Sequence, residues 1–204
     1  IGNGIHVVEV AGNGSQNLDD PTYSRSHGGH YPFLPQNNSG AIIVGAAFAP
    51  AAFGGTDIDR SRKSYSNYGS RLDVQGWGEM VVVPGWGGLY NSEGTNLLFE
   101  GNFGGTSSAT PMVAGAVALY ESIAESETGA IVSPANLRSQ LRLTGSPQQK
   151  GTNWACQRIG PRPNLRAALE GSSNDEWPTF HNDNRRHGVT DSTFTPPLSQ
   201  QWKY

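Results

Sequence analysis

The sequence predicts an α/β fold in which strands and helices form separate layers, and two observations predict it. Three short runs of apolar and β-branched residues, at 4–10, 41–47 and 79–84, are typical of strands buried on both faces. Polar loops separate these runs, and segments with helical signals follow them. Strands followed by helices favour an architecture of layers packed around one core.

Three segments in the second half of the chain predict the helices. The first, residues 109–124, has Pro111 near its start, where the missing N–H costs little. It is apolar on nearly all sides, so we expect it to be buried and closely packed against the sheet. The second covers residues 133–143 and has Ser133 as its N-cap. The third covers residues 163–170.

The composition excludes several classes of function. Charged residues make up 15% of the chain and the net charge is −3, so neither a nucleic-acid partner nor an anionic membrane surface is indicated. No apolar run is long enough to span a bilayer. The single cysteine, Cys156, excludes an internal disulfide and a cysteine-based metal site. High Gly, Asn and Ser with low Lys favours a secreted or other extracytoplasmic protein.

The segment 102–115, NFGGTSSATPMVAG, places hydroxyl groups at the start of the first predicted helix. Free backbone N–H groups and the positive end of the helix dipole converge there, so an oxyanion beside Ser107 would be stabilised. Two other interpretations of this pattern stay open. The segment is a serine- and threonine-rich N-cap, or GTSSA is a variant of the G-x-S-x-G elbow of α/β-hydrolases with Ala109 in the last position.

The wider segment 105–119, GTSSATPMVAGAVAL, strongly resembles the serine segment of the subtilisin-like serine proteases, the subtilases. Every fixed position of the family motif G-T-S-x-A-x-P-x-V-A-G is matched. Upstream, VVEVAGNGS at 7–15 resembles the family's strand and A-G-N turn. The resemblance implies that Ser107 is the nucleophile and that the side-chain amide of Asn13 donates to the oxyanion. The alternative for Asn13 is a turn residue that tolerates left-handed backbone geometry.

The resemblance also implies a fold and a substrate. It covers residues 1–171 and implies part of a three-layer subtilisin-like catalytic domain with a mostly parallel sheet. At 75–78, QGWG stands where subtilases have A-P-G, and we expect a surface turn there. The implied substrate is a protein or peptide, and catalysis in the family needs no cofactor. Four residues are expected to contact the substrate: Ala11, Gly12, Gly105 and Thr106.

The Asp and His of a subtilase triad are not found in this sequence. In the family both precede the serine, in D-x-G and H-G-T-x-V-A-G motifs that lie before the A-G-N strand. We therefore expect this chain to be the C-terminal part of a catalytic domain, inactive without the N-terminal half that supplies Asp and His. One alternative is a catalytically inactive binding domain with the subtilase fold. Another is an α/β-hydrolase esterase, whose acid and base would come from Asp175, Asp183, Asp191, His181 and His187.

The sequence does not indicate a metal site. His27 and His30 in SHGGH have no carboxylate nearby, so a solvated glycine-rich loop is the expected structure. Structural calcium occurs in the loops of many subtilases, but the loop aspartates here match no closed site. These are Asp19, Asp20, Asp57 and Asp59.

The composition changes after residue 171. Residues 172–204 are predicted to hold a linker and the first strand of a second module, a short all-β or irregular tail. The stretches WPTFHNDNRRHGVTD and PPLSQQWKY are similar to the first strand of PQQ-like β-propeller repeats. A propeller needs several four-stranded blades, so this tail alone cannot form one. The alternative is a disordered C-terminal extension.

Overall fold

The centre of the structure, a computed structural model, is a three-stranded parallel sheet. The strands are β1 (Val8–Val10), β2 (Ile42–Ala47) and β3 (Val74–Trp77), in the order β1-β2-β3. All six residues of β2 are buried, as its apolar run predicts. The predicted α/β fold with a mostly parallel sheet is therefore confirmed. The structure describes residues 4–24, 33, 37–152 and 157–169.

The strand β3 corrects the prediction of a surface turn at 75–78. Gln75 is fully buried, and its Nε2 donates a hydrogen bond to the carbonyl oxygen of Gly160 at 2.6 Å. Gly76 packs so closely against the first long helix that a Cβ atom would lie 2.4 Å from the carbonyl oxygen of Ala109. Asp73, Gln75 and Gly76 interrupt the apolar residues of this segment, so it has no apolar run, which is why the sequence did not reveal this strand.

A second, two-stranded antiparallel sheet is formed by β4 (Val81–Pro84) and β5 (Phe99–Phe103). The predicted strand at 79–84 exists, but the expectation that it is buried on both faces is wrong. Its residues alternate between half-buried and exposed, and Val82 is 56% exposed. The strand pairs only with β5, so the larger sheet does not cover it.

The first long helix, α2 (Thr106–Thr128), extends beyond the predicted segment at both ends. Pro111 therefore lies inside the helix and not in its first turn. The helix buries one face, with Ala109 and Val117, against the sheet, while Leu119 on the other side is 52% exposed. The expectation of burial on nearly all sides is wrong for the described part of the chain, because only one layer packs against this helix.

Two further helices complete the layer on this side of the sheet. The helix α3 (Pro134–Thr144) is capped by Ser133, whose Oγ accepts the N–H of Asn136 at 3.3 Å, as predicted. The helix α4 (Leu165–Leu169) begins later than predicted, after Asn164. Near the N-terminus lies the one-turn helix α1 (Pro21–Ser24), and Ala51–Phe53 forms a 3-10 turn.

Apolar residues pack on both faces of the parallel sheet. On one face Ile42 and Val44 pack against α2 and α3, and on the other Ile43 packs with Leu72 and Ile159. Successive residues of β2 therefore point to opposite faces, as a strand requires. None of the helices in the described ranges is long and apolar enough to cross a bilayer. The predictions for His27, His30, Cys156 and residues 172–204 concern residues outside the described ranges.

Candidate active site

Asn13 lies just beyond the carboxyl end of β1, and two hydrogen bonds fix its side chain. Its Oδ1 accepts the backbone N–H of Thr106 at 2.9 Å and the hydroxyl of Thr106 at 3.0 Å. Because a backbone N–H can only donate, the oxygen of the amide must face Thr106. The Nδ2 group of Asn13 therefore points away from Thr106, and within the described ranges it donates to no acceptor.

Ser107 and Ser108 are neighbours in the first turn of α2 but have different surroundings. Ser107 is exposed, whereas Ser108 is fully buried. The Ser108 hydroxyl lies 2.8 Å from the carbonyl oxygen of Trp77 and 2.9 Å from that of Gly105, so its hydrogen is engaged. The backbone N–H of Ser107 has no acceptor among the described residues, as expected in the first turn of a helix.

Gly105 lies between two N–H donors that have no acceptor among the described residues, Asn13 Nδ2 and the backbone N–H of Ser107. A Cβ atom built on this residue would lie 3.2 Å from Asn13 Nδ2 and 3.6 Å from the backbone nitrogen of Ser107. A side chain here would therefore fill the space that both donors border. The backbone also has φ of +88°, a conformation that favours glycine. The glycine thus keeps a small space open beside two N–H groups at the positive end of the α2 dipole.

Asn67 holds the turn that presents Asn13. Its Oδ1 accepts the N–H groups of Gly14 at 3.1 Å and Gln16 at 2.8 Å, and its Nδ2 donates to the carbonyl oxygen of Ala11 at 2.7 Å. Gly12 has φ of +93°, and a Cβ atom there would lie 2.8 Å from Asn67 Nδ2. Asn67 was not predicted as a site residue from the sequence, because an asparagine in a polar loop has no local signal for this contact.

Tyr65 supports the other side of the site. Its hydroxyl donates to the carbonyl oxygen of Gly78 at 2.6 Å and accepts the N–H of Gly105 at 3.1 Å. Burial raises the pKa of Tyr65, which keeps the phenol protonated and able to donate. Tyr65 was also missed, because nothing in the local sequence indicates a contact with a glycine 40 residues away.

The four residues expected to contact a substrate fall into two groups. Ala11 and Thr106 are buried, with exposures of 9% and 1%, and the Thr106 side chain is bonded to Asn13. Gly12 and Gly105 are only half-buried, so their backbone is open to an approaching chain. The structure thus leaves contact surface at the two glycines and places Thr106 behind Asn13.

His6 is the only histidine among the described residues, and it lies far from Ser107. Its Nε2 is 3.2 Å from Oε2 of Glu121. Glu121 lies about 21 Å from Ser107 along the axis of α2, given the rise of an α-helix. His6 therefore cannot act as a base for Ser107, and no other imidazole occurs in the described ranges.

The loop aspartates considered for calcium are engaged by protein donors. Asp19 accepts the N–H and the hydroxyl of Ser70 at 2.8 and 2.6 Å, and Asp57 accepts the hydroxyl of Thr152 at 2.6 Å. Asp59 forms ion pairs with two arginines. In the described part of the chain, no three His, Cys, Asp or Glu side chains come together in a way that could hold a metal ion.

Comparison with known proteins identifies the family. The model of the subtilase family, peptidase S8, matches residues 2–169, so the chain belongs to the subtilases. Its fold and its family are thus those of a subtilase protease domain. No curated protein sequence is significantly similar to it.

Solved protease structures have the same fold. A lanthipeptide protease is 20% identical with a TM-score of 0.58, and the self-cleaved protease domain of PatA is 24% identical with a TM-score of 0.53. Each comparison covers 84% of this chain and 52% of the other. A protease of Pseudoalteromonas arctica is 25% identical with a TM-score of 0.52, over 84% of this chain and 44% of the other. The chain therefore spans about half the length of these proteases.

Proposed function

We propose that this chain provides the nucleophile and the oxyanion-binding groups of a serine endopeptidase, with Ser107 as the nucleophile and Asn13 as an oxyanion donor. One observation carries the proposal: the bonds from Thr106 turn the Asn13 amide so that Nδ2 and the Ser107 N–H both border the space beside Gly105. Ser107 is the exposed member of the serine pair, which favours it over Ser108.

These groups match the requirements of acyl transfer. Ser107 Oγ would attack the carbonyl carbon of the scissile peptide bond, and the carbonyl oxygen would become an oxyanion. Asn13 Nδ2 and the Ser107 N–H would then donate to that oxygen. Loss of one such donor costs about 10² to 10³ in kcat, a magnitude measured in this same family. The reaction requires no cofactor, and Thr106 acts as a positioning residue for Asn13.

The proposal requires a general base and its orienting acid from outside the described residues. A serine without a base is an ordinary alcohol with little nucleophilicity, so this chain by itself should be inactive or nearly so. We propose that the Asp and His belong to a part of the same catalytic domain not included in residues 1–204. The chain covers about half the length of the matched proteases, which supports the proposal that another part of the domain supplies Asp and His.

Two other functions are weaker candidates. The absence of a histidine near Ser107 in the described ranges favours an inactive binding domain, which the experiment below distinguishes. The esterase alternative requires Ser107 to follow a strand of the central sheet, as in an α/β-hydrolase elbow. The strand before Ser107 is β5, which belongs to the antiparallel pair, so the structure does not fit that elbow.

The test is covalent labelling of the full-length protein that contains these residues. A fluorophosphonate probe should label Ser107, the protein should cleave casein, and both signals should disappear in Ser107→Ala. Ser122→Ala, which removes an exposed hydroxyl further along α2, is the matched control and should keep both signals. A folded full-length protein that is not labelled and cleaves no casein would overturn the proposal and leave a binding domain.

Three expectations from the sequence stay predictions. These are the domain boundary at residue 171, the PQQ-like module begun by residues 172–204, and the extracytoplasmic location. Structural calcium, which is possible in a subtilase but unsupported by this sequence, is not proposed.

A further inference from the structure

A cavity of about 480 Å³ lies at the end of the sheet opposite Asn13. It is bordered by Gly40, which precedes β2, and by one face of α3. Strands in a parallel sheet share their direction, so this is the amino edge, whereas Asn13 lies at the carboxyl edge. Three arginines and a serine line it, and we call it the arginine pocket: Arg138, Ser139, Arg142 and Arg158.

The nearest buried carboxylate, Asp73, is already fully engaged. Asp73 is 1% exposed, and its Oδ2 accepts the N–H of Ile43 at 2.9 Å and pairs with Arg71 at 3.0 Å. Its Oδ1 pairs with Arg138 Nη2 at 2.8 Å. Arg142 is 3.6 Å from the same oxygen, beyond hydrogen-bond distance. One carboxylate thus faces three guanidinium groups, those of Arg71, Arg138 and Arg142.

Arg142 and Arg158 keep donors available for a ligand. Within the described ranges Arg142 forms no hydrogen bond, and its side chain is 43% exposed. Arg158 uses only Nη1, which donates to backbone carbonyl oxygens, among them those of Ser70 and Leu72. Its Nε and Nη2 have no acceptor among the described residues. The hydroxyl of Ser139, on the same face of α3, adds a further donor.

The charges in the arginine pocket repel one another. Burial lowers the pKa of Arg158, and the positive charge of Arg142 lowers it further, although the carboxylates of Asp73 and Asp19 oppose this effect. Burial also lowers the pKa of Arg71, next to Asp73 and Arg138. A bound anion would relieve this repulsion, and a divalent anion would neutralise more of the excess charge than a monovalent one.

We propose that the arginine pocket binds a divalent oxyanion of the phosphate or sulfate type. Guanidinium groups bind such oxygens with paired, charge-assisted hydrogen bonds. The ligand would bridge α3 to the segment that carries Arg158. Because the pocket lies at the edge of the sheet opposite Ser107, we expect binding to stabilise the folded protein without a direct role in peptide-bond cleavage.

The test measures binding of inorganic phosphate and of sulfate to the full-length protein by calorimetry, with ionic strength held constant by sodium chloride. One site should bind either anion, and Arg142→Gln should weaken binding at least about tenfold, because a lost charged hydrogen bond is worth that much. Arg166→Gln, which removes an exposed arginine of α4 outside the pocket, is the matched control and should leave the affinity unchanged.

Several outcomes are decisive. No binding at millimolar phosphate or sulfate, or equal affinities for wild type and Arg142→Gln, would overturn the proposal. If chloride gave the same binding signal as phosphate or sulfate, the proposal would also be overturned, because general screening of charge would explain the signal. If phenyl phosphate binds more tightly than inorganic phosphate, the ligand is a phosphate ester, and equal or weaker binding identifies the free ion. The measurement does not depend on Ser107, so it stands apart from the test of protease activity.

Discussion

At the residue scale, the side chain of Thr106 decides how Asn13 presents its amide. Its hydroxyl and its backbone N–H both donate to Oδ1 of Asn13. With both bonds present, rotation of the amide would place two N–H groups against two donors, which is unfavourable. The Nδ2 group is therefore held in the orientation that the proposed oxyanion site requires before any substrate binds.

We expect Thr106→Val to lower kcat with little change in KM. Valine removes the hydroxyl donor and keeps the backbone N–H, so one bond of about 1 kcal/mol is lost and the amide is less well fixed. The expected fall in kcat is up to about tenfold, since about 1.4 kcal/mol corresponds to a factor of ten. Steady-state kinetics of the full-length protein on a peptide substrate measures both constants.

The matched control for this variant lies one turn further along α2. Thr110→Val removes a hydroxyl that donates only to the carbonyl oxygen of Thr106, at 2.8 Å, and should leave kcat near the wild-type value. A rise in KM alone in Thr106→Val would contradict the positioning role. An equal fall in kcat for both variants would assign the effect to the helix and not to Asn13.

The chemical groups of the site were predictable from sequence, but their supports were not. Ser107 and Asn13 lie in short motifs whose residue types carry the chemistry. Asn67 and Tyr65 act through hydrogen bonds that join residues 53 and 40 positions apart in the chain. A single sequence has no local signal for such contacts, because an asparagine or tyrosine that makes them cannot be distinguished from any other in a polar loop.

At the scale of secondary-structure elements, contact between β3 and α2 sets the position of Ser107. Gly76 of β3 lies against the first turns of the helix, close to the backbone of Ala109. The carbonyl oxygen of Trp77, the next residue of β3, lies within hydrogen-bond distance of the Ser108 hydroxyl. The strand thus holds the start of the helix through one close approach and one hydrogen bond.

We expect Gly76→Ala to destabilise the protein by about 1–3 kcal/mol or more, because the new Cβ would overlap a backbone oxygen that cannot move alone. The matched control is Gly115→Ala in the same helix. A Cβ there meets nothing within 4 Å, so the helix propensity of alanine should stabilise the fold by about 0.5–1 kcal/mol. Urea unfolding of the full-length protein measures both changes, and opposite signs are expected. Equal small effects would contradict the close packing.

The elements that sequence predicted well are those with one strong local signal. The apolar run of β2 and the Ser133 cap of α3 belong to this group. The strand β3 was missed because it contains a buried polar residue, Gln75, whose side-chain Nε2 donates to a carbonyl group 85 residues away. The start of α2 was predicted too late because of Pro111, since proline is more common in the first turn of a helix than in its interior.

At the scale of the whole molecule, the residue pattern of α2 predicts more burial than the helix has in the structure. The helix is apolar on nearly all sides, but the described part of the chain covers only one face and leaves Met112 and Leu119 37% and 52% exposed. The strand β1 lies at the edge of the sheet, and Val10 is 51% exposed. A sequence pattern indicates how strongly each residue type favours burial. How much of a helix or strand is actually buried depends on which other segments pack against it.

A buried carboxylate, Glu79, links three separate segments of the molecule and should make its stability depend on pH. It is 7% exposed and accepts bonds from Lys63 Nζ at 2.7 Å, the Thr56 hydroxyl at 2.9 Å and the Ala49 N–H at 3.2 Å. Burial alone would raise the pKa of Glu79. The bonds from Lys63, Thr56 and Ala49 outweigh burial, so the pKa lies below its ordinary value.

A pKa that is lower in the folded state means that the unfolded chain binds this proton more readily. The contribution of Glu79 is therefore complete above its ordinary pKa and is lost as the pH falls through the lowered folded value. We expect Glu79→Gln to lower the free energy of unfolding at neutral pH by about 1–3 kcal/mol, since it removes charged hydrogen bonds. The variant should then lose less stability than wild type as the solution is acidified.

Urea unfolding of the wild type and Glu79→Gln between about pH 7 and about pH 3 measures this difference. The two curves of unfolding free energy against pH should converge towards acid, because wild type loses a contribution that the variant lacks. Glu93→Gln, which changes an exposed carboxylate between β4 and β5, is the control, and its curve should run parallel to wild type. Parallel curves for Glu79→Gln as well would show that the Lys63, Thr56 and Ala49 contacts do not stabilise the charged carboxylate.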